Sequence, residues 1–473
     1  MADRIKKQKP EIIINDLHII EAGSEGVCIG KHEDRVVFVP YVVPGDIVDV
    51  KVYKKKKSYC HAKVTAIKKQ SPNRVMPKCK HFGVCGGCKW QNMDYSTQLH
   101  YKRKQVIDNF QRIGKFDFPE VNPILPSDSI FAYRNKVEYT FSNKRWLQEE
   151  ELPDAEAGRI NTNGLGFHLP AMFDKTLDIH HCDLHSELGN EIRNAIKEYA
   201  IEHDLPFWNA RLQTGLLRNL IIRTSECGDM MVMLVVTSFD AETKGLLSFL
   251  LEKFPQITSL LYVENNKKND SITDLFPKTY SGKDFLQEEM GALKFKVAPL
   301  AFYQTNSAQA HKLYKETLRL AAIKDHQTVY DLYTGTGTIA LFVAKNAKKV
   351  VGIEYVESAI ESANENAKLN GISNTYFFAG DMTAMLTDDF IAENGLPDVV
   401  ITDPPRSGMH PKVIEQLLKV LPQRIVYVSC NPATQARDIA LLNSKYTVKE
   451  VQPVDMFPHT HHVENIALLI INN

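Results

Sequence analysis

The sequence predicts three successive regions: a small all-β barrel, an α+β central region, and a Rossmann-like, doubly wound α/β domain at the carboxyl end. Three observations carry this. Short β-rich runs crowd the first 70 residues. From about residue 298, strand-like and helix-like runs alternate, the pattern of a parallel sheet. At 473 residues the chain exceeds one ordinary core, so several domains are expected. The expected boundaries are 1–70, 71–297 and 298–473.

In the first region, Ile12–Ile14, His18–Ile20, Val36–Phe38, Ile47–Val52 and His61–Ile67 read as short strands. Turn signals separate them: Ala22-Gly23-Ser24-Glu25-Gly26, Val43-Pro44-Gly45-Asp46 and the lysines Lys54–Lys57. Five strands in so short a span fit a small barrel of the oligonucleotide-binding type. The overall formal charge is zero, yet residues 1–80 carry 17 Lys and Arg against 9 Asp and Glu. A basic module on an otherwise acidic chain fits a polyanion partner, or else a solvated lysine face. Lys51 and Lys54–Lys57 are expected on one loop, ready for phosphates. Tyr53 and Tyr59 flank it as stacking or as core aromatics. Met1–Lys9 is charged and lacks the apolar core of a secretory signal. No apolar run reaches membrane-spanning length; Met230–Val236 is among the longest. A soluble, cytoplasmic protein is expected, monomeric and without an obligate protein partner or a membrane.

The eight cysteines are unevenly placed, with Cys79, Cys85 and Cys88 in one short stretch around Gly86-Gly87. In a reducing compartment this favours a metal site over disulfides. Zinc sites normally split their cysteines into pairs. Three bunched cysteines with a distant fourth suit an iron–sulfur cluster better, and zinc stays as the structural alternative. Cys182 and Cys227 are the candidates for the fourth ligand, with Cys182 favoured. Residues 94–113 read as a helix with a basic patch at Lys102-Arg103-Lys104, and 131–141 and 164–169 as strands. The acidic Gln148–Gly158 reads as a surface loop. Residues 229–237, 257–264 and 292–297 read as further strands around a helix at 240–253, and His185–Tyr199 as another helix.

In the third region Val329–Leu332 is a strand, followed by Tyr333-Thr334-Gly335-Thr336-Gly337-Thr338 and a helix. The next strand, Val350–Ile353, ends at Glu354. Later strands end at Asp381 and at Asp403-Pro404-Pro405-Arg406. A glycine-rich turn lets a ligand approach the backbone, and an acidic residue after the second strand can accept ribose hydroxyls. The full dinucleotide and P-loop fingerprints are absent. The set fits S-adenosylmethionine better than NAD or ATP, or else marks an ordinary turn. Asp-Pro-Pro with Arg406, where an aromatic would follow in amine-methylating enzymes, argues against an exocyclic amine as target.

The strand Ile425–Val428 delivers Cys430 to its carboxyl end, where open α/β sheets bind ligands. Pro432 suits the first turn of the helix that follows. Cys430 is a candidate nucleophile, or a small buried hydrophobe. Phe457–Asn465 contains His459, His461, His462 and Glu464. This group reads as a metal cluster or, more sharply, as a carboxylate general base at Glu464. Strands at Tyr446–Val454 and Ile466–Ile471 close the sheet.

These motifs together, with DLYTGTGTIAL, DPPRSG, YVSCNPATQARD, FPHTHHVEN and the upstream cysteine run, resemble the RNA uracil-C5-methyltransferase family over essentially the whole chain. The likeness is greatest to its iron–sulfur branch, which bears a TRAM domain (an RNA-binding barrel) and acts on 23S ribosomal RNA. The resemblance implies that Cys430 is the nucleophile and Glu464 the base. It implies an S-adenosylmethionine site on Gln304, Tyr333, Thr338, Glu354, Asp381 and Asp403. It implies a 4Fe-4S cluster on Cys79, Cys85, Cys88 and Cys182, and ribosomal RNA as substrate, with transfer RNA as the alternative. A non-catalytic iron–sulfur RNA-binding protein is a more remote reading.

Overall fold

The computed structural model describes residues 11–170 and 172–472; Met1–Lys9, read above as no secretory signal, lies outside the described residues. The chain forms two compact units. The first is Met1–Gln105 with Phe457–His462, the second Val106–Met456 with Val463–Asn473. Among the described residues no helix is long and apolar enough to cross a membrane.

In the first unit, β1 (Ile12–Ala22), β2 (Cys28–His32), β3 (Arg35–Val39), β4 (Ile47–Lys55) and β5 (Tyr59–Lys69) close a barrel in the order β1-β2-β3-β5-β4. The expected five-stranded barrel is present, but its strands are divided differently. Ile12–Ile14 and His18–Ile20 are one strand. Its pairing with β4 shifts register between Ile14 and Leu17. Asp16 there takes φ 51°, and its N–H donates to the Asp49 carboxylate at 3.0 Å. This bulge breaks the alternation that marks a strand. The unpredicted β2 contains Gly30, where a Cβ would come within 2.9 Å of the Leu17 side chain. The lysines also differ from expectation, since Lys51, Lys54 and Lys55 lie on β4 rather than in a loop.

Ile14, Leu17, Cys28, Val37, Val48, Val50 and Ala62 fill the barrel, with Trp90 and Met93 from the cysteine-bearing stretch against them. Trp90 Nε1 donates to the Gly26 carbonyl at 3.2 Å. Asp46 ties these parts together. Fully buried, it accepts from the backbone N–H groups of Val43 at 2.7 Å and Ser71 at 2.9 Å, and pairs with the Arg74 guanidinium.

The second unit holds two seven-stranded sheets. The first uses β6 (Lys136–Ser142), β7 (Gly164–Leu169), β8 (Met172–Asp178), β9 (Leu217–Thr224), β10 (Met230–Val236), β11 (Ser259–Glu264) and β12 (Lys278–Gly282), in the order β12-β11-β10-β9-β6-β7-β8. All its pairings are antiparallel except β10–β11. Strand β6 starts at Lys136, later than expected. Gln148–Gly158 is not wholly a loop: Leu152–Glu156 makes one short exposed helix. A hairpin of β13 (Leu286–Met290) and β14 (Leu293–Val297) leads to the helix Ser307–Ala321.

The second sheet uses β15 (Thr328–Leu332), β16 (Lys349–Glu354), β17 (Thr375–Ala379), β18 (Val399–Thr402), β19 (Arg424–Ser429), β20 (Tyr446–Val454) and β21 (Glu464–Ile471), in the order β17-β16-β15-β18-β19-β21-β20. The first five are parallel, as predicted. Strand β21 runs antiparallel to both β19 and β20. Strand order reverses at β15, the switch point where such sheets open a crevice at their carboxyl edge.

Replacing Asp46 by alanine leaves Arg74 without its buried partner. The expected loss is about 3–5 kcal/mol of barrel stability. Urea unfolding of the full chain, followed by amide exchange over residues 11–69, measures it; wild-type protection would refute this role for Asp46.

Candidate active site

The carboxyl ends of the five parallel strands present most of the candidate residues side by side. Tyr333 follows β15, Glu354 ends β16, Asp381 follows β17, Asp403 follows β18 and Cys430 follows β19. Register fixes this row, since Leu332 pairs with Ile353 and Thr402, and Thr402 with Tyr427. Glu464 reaches the same edge because β21 runs the opposite way. Ser429 pairs with Asn465, so one step further along the ladder sets Cys430 opposite Glu464. Buried Gln435 locks that register. Its Nε2 donates to the carbonyls of Tyr427 at 2.8 Å and Asn465 at 3.1 Å, and its Oε1 accepts from Asn465 Nδ2 at 2.7 Å.

The glycine turn has the form that a close ligand needs. Tyr333, Gly335 and Gly337 all take positive φ, at 66°, 54° and 78°. A Cβ on Gly335 would meet nothing within 4 Å, so open space lies over that backbone, whereas one on Gly337 would strike Ala363 and Phe377. The Glu354 carboxylate accepts from the N–H of Gly335 and of Val356, each at 3.1 Å. Thr338 begins the helix Thr338–Ala344, and its hydroxyl lies 3.2 Å from that of buried Tyr314. Asp381 caps a short helix by accepting from the Thr383 N–H at 2.8 Å, and the Thr383 contacts hold its carboxyl below the usual range. Gln304 lies before the helix Ser307–Ala321, its carbonyl held by Asn135 Nδ2 at 2.9 Å. Open space over a glycine turn, flanked by fixed carboxylates, suits a cationic nucleoside such as S-adenosylmethionine.

Electrostatics set the reactive end apart. Burial, then the charge of Asp403, raises the Glu464 carboxyl to about 8, while the Arg406 guanidinium opposes the shift. Burial and Asp331 raise Asp403 to about 7. Burial, then Glu464 and Asp403, raises the Cys430 thiol to about 11; Arg406, hydrogen-bonded to it, pulls the other way. A thiol, two carboxyls of raised proton affinity and a guanidinium thus share one site. That combination can make and protonate a thiolate and can accept a proton from carbon. Sequence reasoning did not single out Asp331, Tyr314 or a charge role for Arg406. Asp331 is fully buried, accepts from the Thr334 hydroxyl at 2.6 Å and the Ala340 N–H at 3.1 Å, and is raised to about 7 by burial. Its signal was an acidic residue inside an otherwise apolar strand.

The four cysteines expected on a cluster divide between the units, with Cys79, Cys85 and Cys88 in the first and Cys182 in the second. The sulfurs of Cys79 and Cys88 accept from the His81 N–H at 3.4 Å and from Gln91 Nε2 at 3.7 Å. The Cys182 backbone is bracketed by Asn190, at 2.8 and 3.2 Å. Among the described residues, no group of three or more His, Cys, Asp or Glu is arranged to hold a metal ion. This holds for the expected cluster and for the histidines beside Glu464.

Two effects follow from the raised groups. Between pH 5 and 8 the folded protein retains a Glu464 proton that the unfolded chain releases above about 4.5, so the ligand-free protein should lose stability as pH rises through that window. Glu464→Gln should flatten the melting-temperature profile. At pH 9 the same change removes a negative neighbour of Cys430 and should speed its alkylation severalfold, read by mass spectrometry of the Cys430 peptide. Slower alkylation would contradict this account.

Comparison with known proteins agrees with this geometry. Residues 279–472 match the tRNA (Uracil-5-)-methyltransferase family, and residues 7–65 the TRAM domain. An uncharacterized RNA methyltransferase of Bacteroides thetaiotaomicron is 55% identical, covering 94% of this chain and 99% of the relative. One of Chlorobaculum tepidum is 39% identical over 98% and 97%. Among solved structures, the Pyrococcus abyssi tRNA (uracil-54, C5)-methyltransferase in complex with S-adenosyl-L-homocysteine superposes with a TM-score of 0.74 at 28% identity, covering 96% of this chain and 100% of that one. A TRAM barrel, a methyltransferase sheet and relatives matched nearly end to end place this chain in the RNA uracil-5-methyltransferase family, as an S-adenosylmethionine-dependent RNA methyltransferase.

Proposed function

We propose that the protein methylates carbon 5 of a uridine in 23S ribosomal RNA, with Cys430 as nucleophile and Glu464 as base. The observation that supports this most is the Ser429–Asn465 register, which sets those two residues opposite each other beside Asp403. Gln304, Tyr333, Thr338, Glu354, Asp381 and Asp403 are proposed to hold S-adenosylmethionine, which supplies an electrophilic methyl group. Cys430 adds to carbon 6 of the uracil, which turns carbon 5 into a nucleophile. Once carbon 5 carries the methyl group, Glu464 takes its proton, and elimination returns the Cys430 thiolate. Arg406 favours that thiolate, both as attacking and as leaving group. The uridine must leave its stack to reach such a site. The TRAM barrel, with Tyr53 exposed on β4 among lysines, is proposed to grip the surrounding RNA. The functional division proposed is barrel 1–70, central region 71–297 and catalytic region 298–473. Cys79, Cys85, Cys88 and Cys182 are proposed, on the resemblance of the cysteine run, to hold a 4Fe-4S cluster. Transfer RNA is the second reading, favoured by the substrate in the Pyrococcus abyssi enzyme's name.

The test mixes the protein with S-adenosylmethionine and RNA carrying 5-fluorouridine. Fluorine cannot leave as a proton, so elimination stalls. A methylated RNA adduct on Cys430 is expected with ribosomal RNA; an adduct with transfer RNA alone would transfer the assignment to the second reading, and none with either would reject the chemistry. Cys430→Ala should lower turnover on normal RNA on the order of a thousandfold or more. Protein purified without oxygen should carry iron and the broad visible absorbance of a cluster, both lost in Cys79→Ser; iron-free protein of full activity would remove the cluster from the proposal.

A further inference from the structure

Between β14 and the helix Ser307–Ala321, residues 298–306 run without regular structure and carry Gln304. Such a segment has no ladder to satisfy its carbonyls. Here side chains of the central sheet region take them. Arg223 on β9 is 2% exposed. Its Nη1 donates to the carbonyls of Ala298 and Pro299, both at 3.2 Å, and its Nη2 to that of Ala301 at 3.0 Å. Asn135 precedes β6. Its backbone N–H donates to Thr305 O at 2.8 Å, and its Nδ2 to Gln304 O at 2.9 Å and Ser307 Oγ at 2.8 Å. Fully buried Glu288 on β13 accepts from the Ser307 hydroxyl and from the Glu226 N–H, both at 2.9 Å. Carbonyls on both sides of Gln304, and its own, are therefore fixed by groups of Arg223, which is buried, and Asn135, which is half-buried.

We infer that Arg223 and Asn135 are positioning residues for the methyl-donor site, holding segment 298–306 so that Gln304 meets the bound nucleoside, while Glu288 fixes Ser307 at the start of the helix that follows. This rests on the reading of Gln304 given above. The fold supplies its own control. Arg218, on the same strand and fully buried, clamps another loop in the same way. It donates to the carbonyls of Asn265 at 2.8 Å, Lys267 at 2.6 Å and Asn269 at 2.9 Å, and pairs with Asp270 at 2.7 Å. That loop carries none of the candidate site residues. A role confined to stability predicts the same consequences for both arginines; a positioning role separates them.

Lysine keeps the charge of arginine but not its planar fork of donors. The experiment compares wild type, Arg223→Lys, Arg218→Lys, Asn135→Ala and Gln304→Ala. It reads S-adenosylhomocysteine affinity by calorimetry, melting temperature, and amide exchange over 298–306. Arg223→Lys and Asn135→Ala should weaken binding about tenfold, the equivalent of about 1.4 kcal/mol, and speed exchange over the segment. Arg218→Lys should lower the melting temperature with affinity unchanged. Asn135→Ala retains every arginine clamp, so it carries the test should Arg223→Lys fail to fold. Wild-type affinity in both Arg223→Lys and Asn135→Ala, or equal weakening in Arg218→Lys, would overturn the inference. Wild-type affinity in Gln304→Ala would overturn it through the assignment of Gln304, leaving the methyltransferase reading intact; a wild-type protein that binds no S-adenosylhomocysteine would remove that reading itself.

Discussion

The pairing of β19 with β21 is the constraint on which the site depends. Side chains alternate faces along a strand, so a slip of one residue would turn Glu464 away from Cys430 and exchange the side chains packed on the two buried faces. Both strands are buried, and the apolar cost of a slip is correspondingly large. The Gln435–Asn465 amide pair adds a polar lock that only one register satisfies. Asp438 does the same for the loop beside it, accepting from the Tyr427 hydroxyl at 2.7 Å and the Met409 N–H at 2.8 Å. A hydrogen-bonded amide pair in a buried sheet is costly to break, because each group would then be unsatisfied.

Around that pairing, charge is concentrated rather than balanced. Asp331, Asp403 and Glu464 are held at or near burial, and the Arg406 guanidinium opposes the upward shifts of Glu464 and Cys430. In the ligand-free protein burial favours the neutral forms, raising Asp331 and Asp403 to about 7, Glu464 to about 8 and the Cys430 thiol to about 11. A cationic ligand in the same crevice reverses part of the penalty by favouring the ionised forms.

The parallel sheet was legible because strands buried on both faces read as unbroken apolar runs. Val350–Ile353 and Ile425–Val428 are such runs, and Val329–Leu332 is one broken only by Asp331; a chemically marked residue follows each. The barrel was legible in kind but not in division, since Asn15-Asp16 imitate a turn while forming a bulge. Strand β9 escaped because its two buried arginines, Arg218 and Arg223, look like surface residues until their carbonyl partners are seen. The ordering of segment 298–306 was likewise invisible: nothing in its own sequence says that residues from other parts of the chain hold it. Cys430, Glu464 and Glu354 were readable because they stand where strands end; Asp331 and Tyr314 were not, because they lie beneath.

The loop Phe457–His462 joins β20 to β21 yet belongs to the first unit. There its His459 carbonyl accepts from the N–H groups of Lys89 and Trp90, and Gln98 brackets the His459 backbone and ring. The first unit therefore cannot be completed when its own 105 residues leave the ribosome. It waits for a piece encoded about 350 residues later, tens of seconds at roughly 5–20 residues per second. During that interval the barrel and the cysteine loop exist as an unfinished body with an open seat for His459. Only the last stretch of synthesis closes the unit, so the RNA-gripping module and the strand that bears Glu464 reach their final form together.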